Sequence, residues 1–223
     1  MKNEIQAIAF DIDGTLYSSA SFYFRIAPYF LKHMRFFITY NKARKILHRT
    51  APLADFYEYQ SRLLEEIKPA FKGCGKQKIQ EIVYDGLKPY FKKQKPYKYT
   101  MEVFQECKKR GIKIGILSDF PPEQKGEMWG LKEYCDVVMG SESLGALKPS
   151  IYVFGQLQMA LGVPSKNILY VGNSVKADMD GAKNAGMQTA YIQTWFGRIF
   201  NKKPANADIC FKNYRQFMKT VLN

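Results

Sequence analysis

The chain has 223 residues, 46% of them hydrophobic, and carries 34 Lys plus Arg against 20 Asp plus Glu, a formal net charge of +14. That length supports one sizeable core, alone or with a smaller insertion, and the composition is globular. No stretch approaches the roughly 18 uninterrupted apolar residues that a membrane-spanning helix needs, and the start, Met1-Lys2-Asn3-Glu4, is not followed by a signal-type apolar core, so a cytoplasmic location is expected.

In chain order, Ile5-Gln6-Ala7-Ile8-Ala9-Phe10 is a strand signal, and Gly14 just behind it lets the chain leave the sheet in a conformation other residues resist. Asp11 and Asp13 then sit at the end of a buried strand, close enough to share one metal ion or one reacting atom. Asp and Gly are also ordinary turn residues. A calcium loop of the EF-hand kind does not fit: counted from Asp11, Gly14 comes fourth instead of sixth, and Phe22 stands twelfth in place of Glu.

From Ser18 to Tyr99 the composition shifts. This segment holds 17 Lys plus Arg against 6 Asp plus Glu, a net +11 that leaves only +3 for the remainder, and it is rich in aromatics, as in Phe22-Tyr23-Phe24 and Arg35-Phe36-Phe37. The runs 22–47 and 53–67 lack strand alternation and contain few glycines, so helices are expected, punctuated by Pro69, Gly73, Gly75 and Pro96. Thr100 then caps a helix to about Arg110, with Met101, Phe104 and Cys107 at helical spacing and Gly111 at the C′ place. Residues 112–117 and 135–139 read as strands, a helix follows Pro149-Ser150 as far as Gly162, and 168–171 is a further strand. A helix from about Lys176 to Gly186, a strand at 189–192, and a short strand and closing helix from Asp208 complete the pattern. Cys74, Cys107, Cys135 and Cys210 lie far apart without a Cys-x-x-Cys pair, which argues for reduced packing residues over a zinc site or a disulfide framework.

Strands separated by helices of this length imply right-handed crossovers and a mostly parallel sheet. The fold class is therefore α/β, a Rossmann-like doubly wound sheet built from residues 1–17 and 100–223, with 18–99 inserted as a helical lid. Ligands of such sheets bind beyond the carboxyl ends of the strands. Asp11 and Asp13 follow the first strand, Ser118 and Asp119 the second, and Asn173 and Ser174 the fourth, so three loops converge on one crevice.

These motifs, in this order, resemble the haloacid dehalogenase-like hydrolase superfamily, in its phosphatase branch with a helical (C1-type) cap after the first motif. Asp11-Ile12-Asp13-Gly14-Thr15 is similar to the first motif, Ser118 at the end of 114–117 to the second, and Lys148-Pro149 to the third. Gly172-Asn173-Ser174 with Asp178, leading into Gly181-Ala182 and Ala185-Gly186, is similar to the fourth. The resemblance implies Asp11 as a nucleophile forming an aspartyl-phosphate, and Asp13 as the acid that protonates the leaving alcohol and then activates water. It groups Thr15, Ser118, Asp119 and Lys148 as substrate-binding, with Lys148 offsetting negative charge. It also implies Mg²⁺, resting on Asp11, the Asp13 carbonyl, Asn173 or Asp178, and water. The chemistry fits: a carboxylate is an adequate nucleophile toward phosphorus made electrophilic by a cation, and hard oxygen donors suit Mg²⁺. The dehalogenase branch usually lacks the second acid, so Asp13 argues for phosphate over halide chemistry. Ordinary readings stand beside these: Ser118 as a turn residue, Lys148 as a solvated loop charge, and Asp178 as a first-turn acid favoured by the helix dipole.

The +11 segment over the crevice would steer anions, favouring a small polyanionic phosphorylated metabolite, although Lys is equally common on solvated helix faces. The basic aromatic stretch 25–49 also suits an anionic membrane surface or nucleic acid, so a catalytically weak binding protein is an alternative, as is a phosphotransferase (mutase) acting between sugars. His33 and His48 read as surface or packing residues, and the aromatics as a small-domain core. Asn173 stands where the family usually has Asp, and an amide oxygen brings no charge to a metal. Asn173→Asp should therefore lower the Mg²⁺ concentration needed for half-maximal phosphate release; an unchanged titration would reject the assignment.

Overall fold

Six strands form one wholly parallel sheet: β1 (Ala7–Phe10), β2 (Lys113–Ser118), β3 (Val137–Gly140), β4 (Ile168–Gly172), β5 (Gln188–Ile192) and β6 (Ile209–Phe211), in the spatial order β3-β2-β1-β4-β5-β6. The computed structural model describes residues 4–193 and 203–222; Met1 to Asn3, part of the N-terminal reading above, lie outside the described residues. All four β1 side chains are buried because helices cover both faces of the sheet. Alternation sends Ile8 and Phe10 to one face and Ala7 and Ala9 to the other. On the first face, Phe10 stacks on Phe104 of α6 (Thr100–Lys109) at 4.9 Å between ring centroids and meets Tyr214 and Phe217 of α9 (Tyr214–Val221). On the second, Val153, Phe154, Leu157 and Leu161 of α7 (Ile151–Leu161) pack on the small residues Ala7 and Ala9. Gly115 on β2 allows this close approach, since a Cβ there would lie 3.1 Å from Leu157 and 3.2 Å from Leu161.

The chain leaves β1 on one side to make β2 and β3, then returns to make β4 on the other. That reversal places the strand-end crevice directly over β1.

Between β1 and β2 run α1 (Ser19–Lys32), α2 (Met34–Leu47), α3 (Phe56–Ile67), α4 (Gly75–Ile79), which continues into wider π-type turns over Gln80–Asp85, and α5 (Lys88–Lys92). The expected helix over 22–47 is thus two. His33 leaves helical geometry at φ −110°, ψ 22°, and the chain turns so that Phe30 stacks on Phe37 at 5.2 Å. Two further boundaries differ from expectation. Tyr99, in the left-handed region at φ 69°, takes the cap position before α6, and Thr100 is the first helical residue, its hydroxyl donating to the Tyr97 carbonyl at 2.7 Å. The helix expected from Lys176 opens as π-type turns over Val175–Asp180, capped by the Ser174 hydroxyl, before becoming α8 (Gly181–Asn184).

The aromatics of the inserted segment do not form a core of their own. Phe22, Phe36, Phe37, Tyr40 and Phe91 belong to the same hydrophobic cluster as Ile8 and Phe10. Polar contacts reinforce this junction: Arg44 on α2 pairs with Glu142 in the loop after β3, and Tyr84 donates to the other Glu142 oxygen at 2.7 Å. Arg44 also lies over the Phe120 ring, 4.6 Å from its centroid. Burial raises the Glu142 carboxyl, and the Arg44 guanidinium opposes it. Among the described residues, no helix is long and apolar enough to cross a membrane.

Removing one partner of a buried ion pair leaves the other charge uncompensated, so Arg44→Met should lower stability by about 3–5 kcal/mol in a urea titration. Arg44→Met combined with Glu142→Leu should recover most of that loss. An unchanged midpoint for the single variant would show that the pair does not hold the segment down.

Candidate active site

The end of β1 delivers Asp11 into the crevice, where it is 5% exposed. Both its oxygens are held: Thr15 donates to Oδ2 at 2.9 Å and the Lys148 ammonium to Oδ1 at 2.8 Å. Thr15, expected to bind substrate, is fully buried, and its hydroxyl orients Asp11. Gly14 makes the turn at φ +90°, and a Cβ there would strike the Asn173 amide and the Ser19 hydroxyl, so glycine brings the first and fourth motifs together.

Lys148 is 2% exposed, and its three N–H donors are all used: on Asp11, on Asp178 Oδ1 at 2.7 Å and on the Tyr170 hydroxyl at 3.2 Å. Burial alone would push its ammonium down, but the facing Asp11 and Asp178 carboxylates outweigh that and hold it well above the ordinary lysine range. Burial pushes the Asp11 carboxyl up to about 7; Lys148 opposes the rise, and Asp178 and Asp13 add to it. With its protons committed, Lys148 in this geometry neutralises Asp11 and has no donor left over for a phosphoryl oxygen.

Asp178 is likewise fully engaged. Its Oδ2 accepts the backbone N–H groups of Asn173 at 3.1 Å and Ser174 at 2.9 Å, and Gly172 leaves room for the carboxylate to fold back beneath that loop. It therefore anchors Lys148 and ties the loop after β4 to it. Asp119, also expected to bind substrate, accepts the Lys148 backbone N–H at 3.0 Å and so fixes the loop that carries the lysine.

Asp13 differs from Asp11 in that its side chain is 30% exposed. Tyr17 donates to its Oδ1 at 2.5 Å; Lys125 at 3.1 Å and Ser118 at 3.4 Å reach its Oδ2. Burial first, then the Asp13 charge, raises the Tyr17 phenol, which stays a proton donor. Neither Tyr17 nor Lys125 was expected from the sequence. Lys125, in Pro121-Pro122-Glu123-Gln124-Lys125, has its ammonium buried over the Phe91 and Phe120 rings, 4.7 and 5.6 Å from their centroids. His48, read as a surface or packing residue, closes α2 with its Nδ1–H donating to the Lys148 carbonyl at 2.6 Å.

For a metal, the crevice offers oxygen donors only: the Asp11 carboxylate, backbone carbonyls and the Asn173 amide oxygen. Among the described residues no group of three His, Cys, Asp or Glu side chains could hold an ion. Hard oxygen donors of this kind suit Mg²⁺, which retains several waters.

Lys148→Met would leave Asp11 and Asp178 facing each other without a cation, and should destabilise the protein by about 3–5 kcal/mol at pH 8. A carboxyl whose folded pKa lies above its unfolded one binds more protons when folded, so stability is regained as pH falls through 7 toward 4. Urea titrations of the variant should thus show a smaller deficit at pH 5 than at pH 8; equal deficits would contradict this electrostatic account.

Comparison with known proteins gives the family. The family model for haloacid dehalogenase-like hydrolases matches residues 5–186. The chain is 28% identical over 197 residues to a glyceraldehyde 3-phosphate phosphatase of Methanocaldococcus jannaschii, covering 84% of this chain and 85% of that protein. It is 26% identical over 198 residues to pyrophosphatase PpaX of Halalkalibacterium halodurans, covering 85% and 84%. The crystal structure of a HAD phosphatase from Thermococcus onnurineus superposes with a TM-score of 0.66 at 24% identity, over 97% of this chain and 98% of the other, and shares the fold. With a parallel sheet carrying the four motifs at its strand ends and a family model spanning most of its length, this chain belongs to the haloacid dehalogenase-like hydrolases.

Proposed function

We propose that the protein is a Mg²⁺-dependent phosphatase acting on a phosphate monoester through an aspartyl-phosphate on Asp11. The observation that carries this reading is the unequal treatment of two carboxylates two residues apart. Asp11 is buried, held at both oxygens and paired with a cation, whereas Asp13 is partly exposed. A fixed carboxylate beside a reachable one is the arrangement that a nucleophile and its acid–base partner require. The names of the relatives, glyceraldehyde 3-phosphate phosphatase and pyrophosphatase, support phosphate chemistry.

In this mechanism an Asp11 oxygen attacks phosphorus as the bond to the leaving oxygen breaks, and protonated Asp13 gives its proton to that oxygen. Asp13, now a carboxylate, takes a proton from water; the water oxygen attacks the phosphoryl group, and the bond to Asp11 breaks to release phosphate and regenerate both groups. Ser118 binds a phosphoryl oxygen, and Thr15 and Lys148 keep Asp11 aimed. Asp11, the Asp13 carbonyl and Asn173 would hold Mg²⁺, which when bound supplies positive charge favouring ionised Asp11 and drawing electron density from the phosphoryl oxygens. Residues 18–99 act as the cap that excludes water and selects the substrate.

Release of phosphate from p-nitrophenyl phosphate with Mg²⁺ present tests the reading. Asp11→Asn should abolish turnover while leaving the circular dichroism spectrum intact, and Asp13→Asn should lower it by about 10²–10⁴-fold. Undiminished turnover in Asp11→Asn would overturn the proposal.

A further inference from the structure

A group that protonates a leaving oxygen must lie within hydrogen-bond reach of it, so the leaving group occupies the space that Asp13 faces. That space is a cavity of about 540 Å³ bounded by Asp13 at one end and by the inserted helices. Its wall is made chiefly of Phe22, Ile26, Phe30, Phe37, Leu87 and Phe91. Among the described residues that line it, none is Lys or Arg, and the nearby Lys125 is already bonded to Asp13. Beside Asp13, its polar side chains are Tyr17, whose hydroxyl is committed to Asp13, and Ser19, Tyr23, Tyr40 and Asn41, which the apolar ones outnumber. The cavity reaches the surface beside Tyr23 and Leu31, which are 66% and 67% exposed.

Two cations of the inserted segment, Lys45 and Arg49, border a different space. A depression of about 430 Å³ is lined by Lys45, Arg49, Lys148 and Lys176, and Asp13 does not border it. Positive charge can therefore draw an anion toward the crevice without contacting its leaving group.

Resting on the reading of Asp11 and Asp13 above, we propose that the leaving group is apolar, so that the substrate is a phosphate monoester of an alkyl, isoprenoid or aryl alcohol, and not of a sugar or a second phosphate. Each methylene taken from water into such a wall strengthens binding about fourfold. Each hydroxyl buried there without a partner weakens it.

Two measurements test this on the full chain with Mg²⁺. In titration calorimetry with n-alkylphosphonates, from methyl to octyl, affinity should climb about fourfold per methylene until the chain fills the cavity. Ala27→Phe, which adds bulk on the lining of α1, should weaken octylphosphonate at least about tenfold and leave methylphosphonate unchanged, because about two methylenes' worth of wall is lost. A flat series overturns the inference. In turnover, kcat/KM for octyl phosphate should exceed that for glyceraldehyde 3-phosphate by at least about tenfold, the gain of two buried methylenes. Equal or faster turnover of glyceraldehyde 3-phosphate overturns the apolar leaving group while leaving the hydrolytic chemistry standing. No turnover of any ester strikes the proposed reaction itself, and the phosphonate series then still decides what the cavity takes. Octyl phosphate below its micellar concentration, set against phosphatidic acid in phosphatidylcholine vesicles, tells a free alcohol phosphate from a lipid as the source. Preference for either over glyceraldehyde 3-phosphate supports the inference.

Discussion

One buried ammonium ties three loops into a site. Lys148 reaches the site from the loop that follows β3, meets Asp11 at the end of β1 and Asp178 beyond β4, and uses its third proton on Tyr170. A lysine so enclosed keeps its charge only because two carboxylates face it, and those carboxylates tolerate burial only because the lysine stands between them. Lys148 thus offsets the repulsion between the two carboxylates, and together they hold its charge. The fold supplies the geometry: because the strand order reverses beside β1, the ends of β2 and β4 flank it and their loops meet above it.

Around this centre, residues of the four motifs hold one another. Thr15 fixes Asp11, Asp119 fixes the Lys148 backbone, and the Asn173 and Ser174 amides fix Asp178. A reacting carboxylate needs a locked orientation, and locking it uses up nearby donors. Asp13 is the exception. Tyr17, Lys125 and Ser118 hold it from below, yet it stays partly open to the cavity under the inserted helices. That cavity makes the charge of the segment and the character of its interior separate matters: no Lys or Arg lines it, Lys45 and Arg49 border the depression beside Lys148, and Phe22, Phe30, Phe37 and Phe91 line the space that Asp13 borders.

Much of this was legible in the sequence. The apolar run before Asp11, the glycine at position 14, and the regular strand–helix alternation after residue 99 each follow from local rules, so the sheet and the convergence of three loops could be read directly. What could not be read depends on contacts between distant residues. The break at His33 exists because Phe30 folds onto Phe37, and a continuous helical pattern gives no sign of it. Lys125 and Tyr17 look like turn and strand-end residues until packing places them on Asp13. The +11 of the inserted segment was visible, but charge counted along a chain does not say which face carries it. Thr15, Asp119 and Asp178 were found by motif, and only the hydrogen bonds show which group each one serves.

The central proposal, that Asp11 is the nucleophile that takes up the phosphoryl group and is held ready by Lys148, is tested most directly by trapping. The protein would be mixed with a phosphate monoester and Mg²⁺, quenched in acid within milliseconds, and digested for mass spectrometry. The account predicts a phosphoryl adduct on the peptide containing Asp11, sensitive to hydroxylamine and absent from Asp11→Asn. Turnover without any such adduct, or an adduct on another residue, would contradict it.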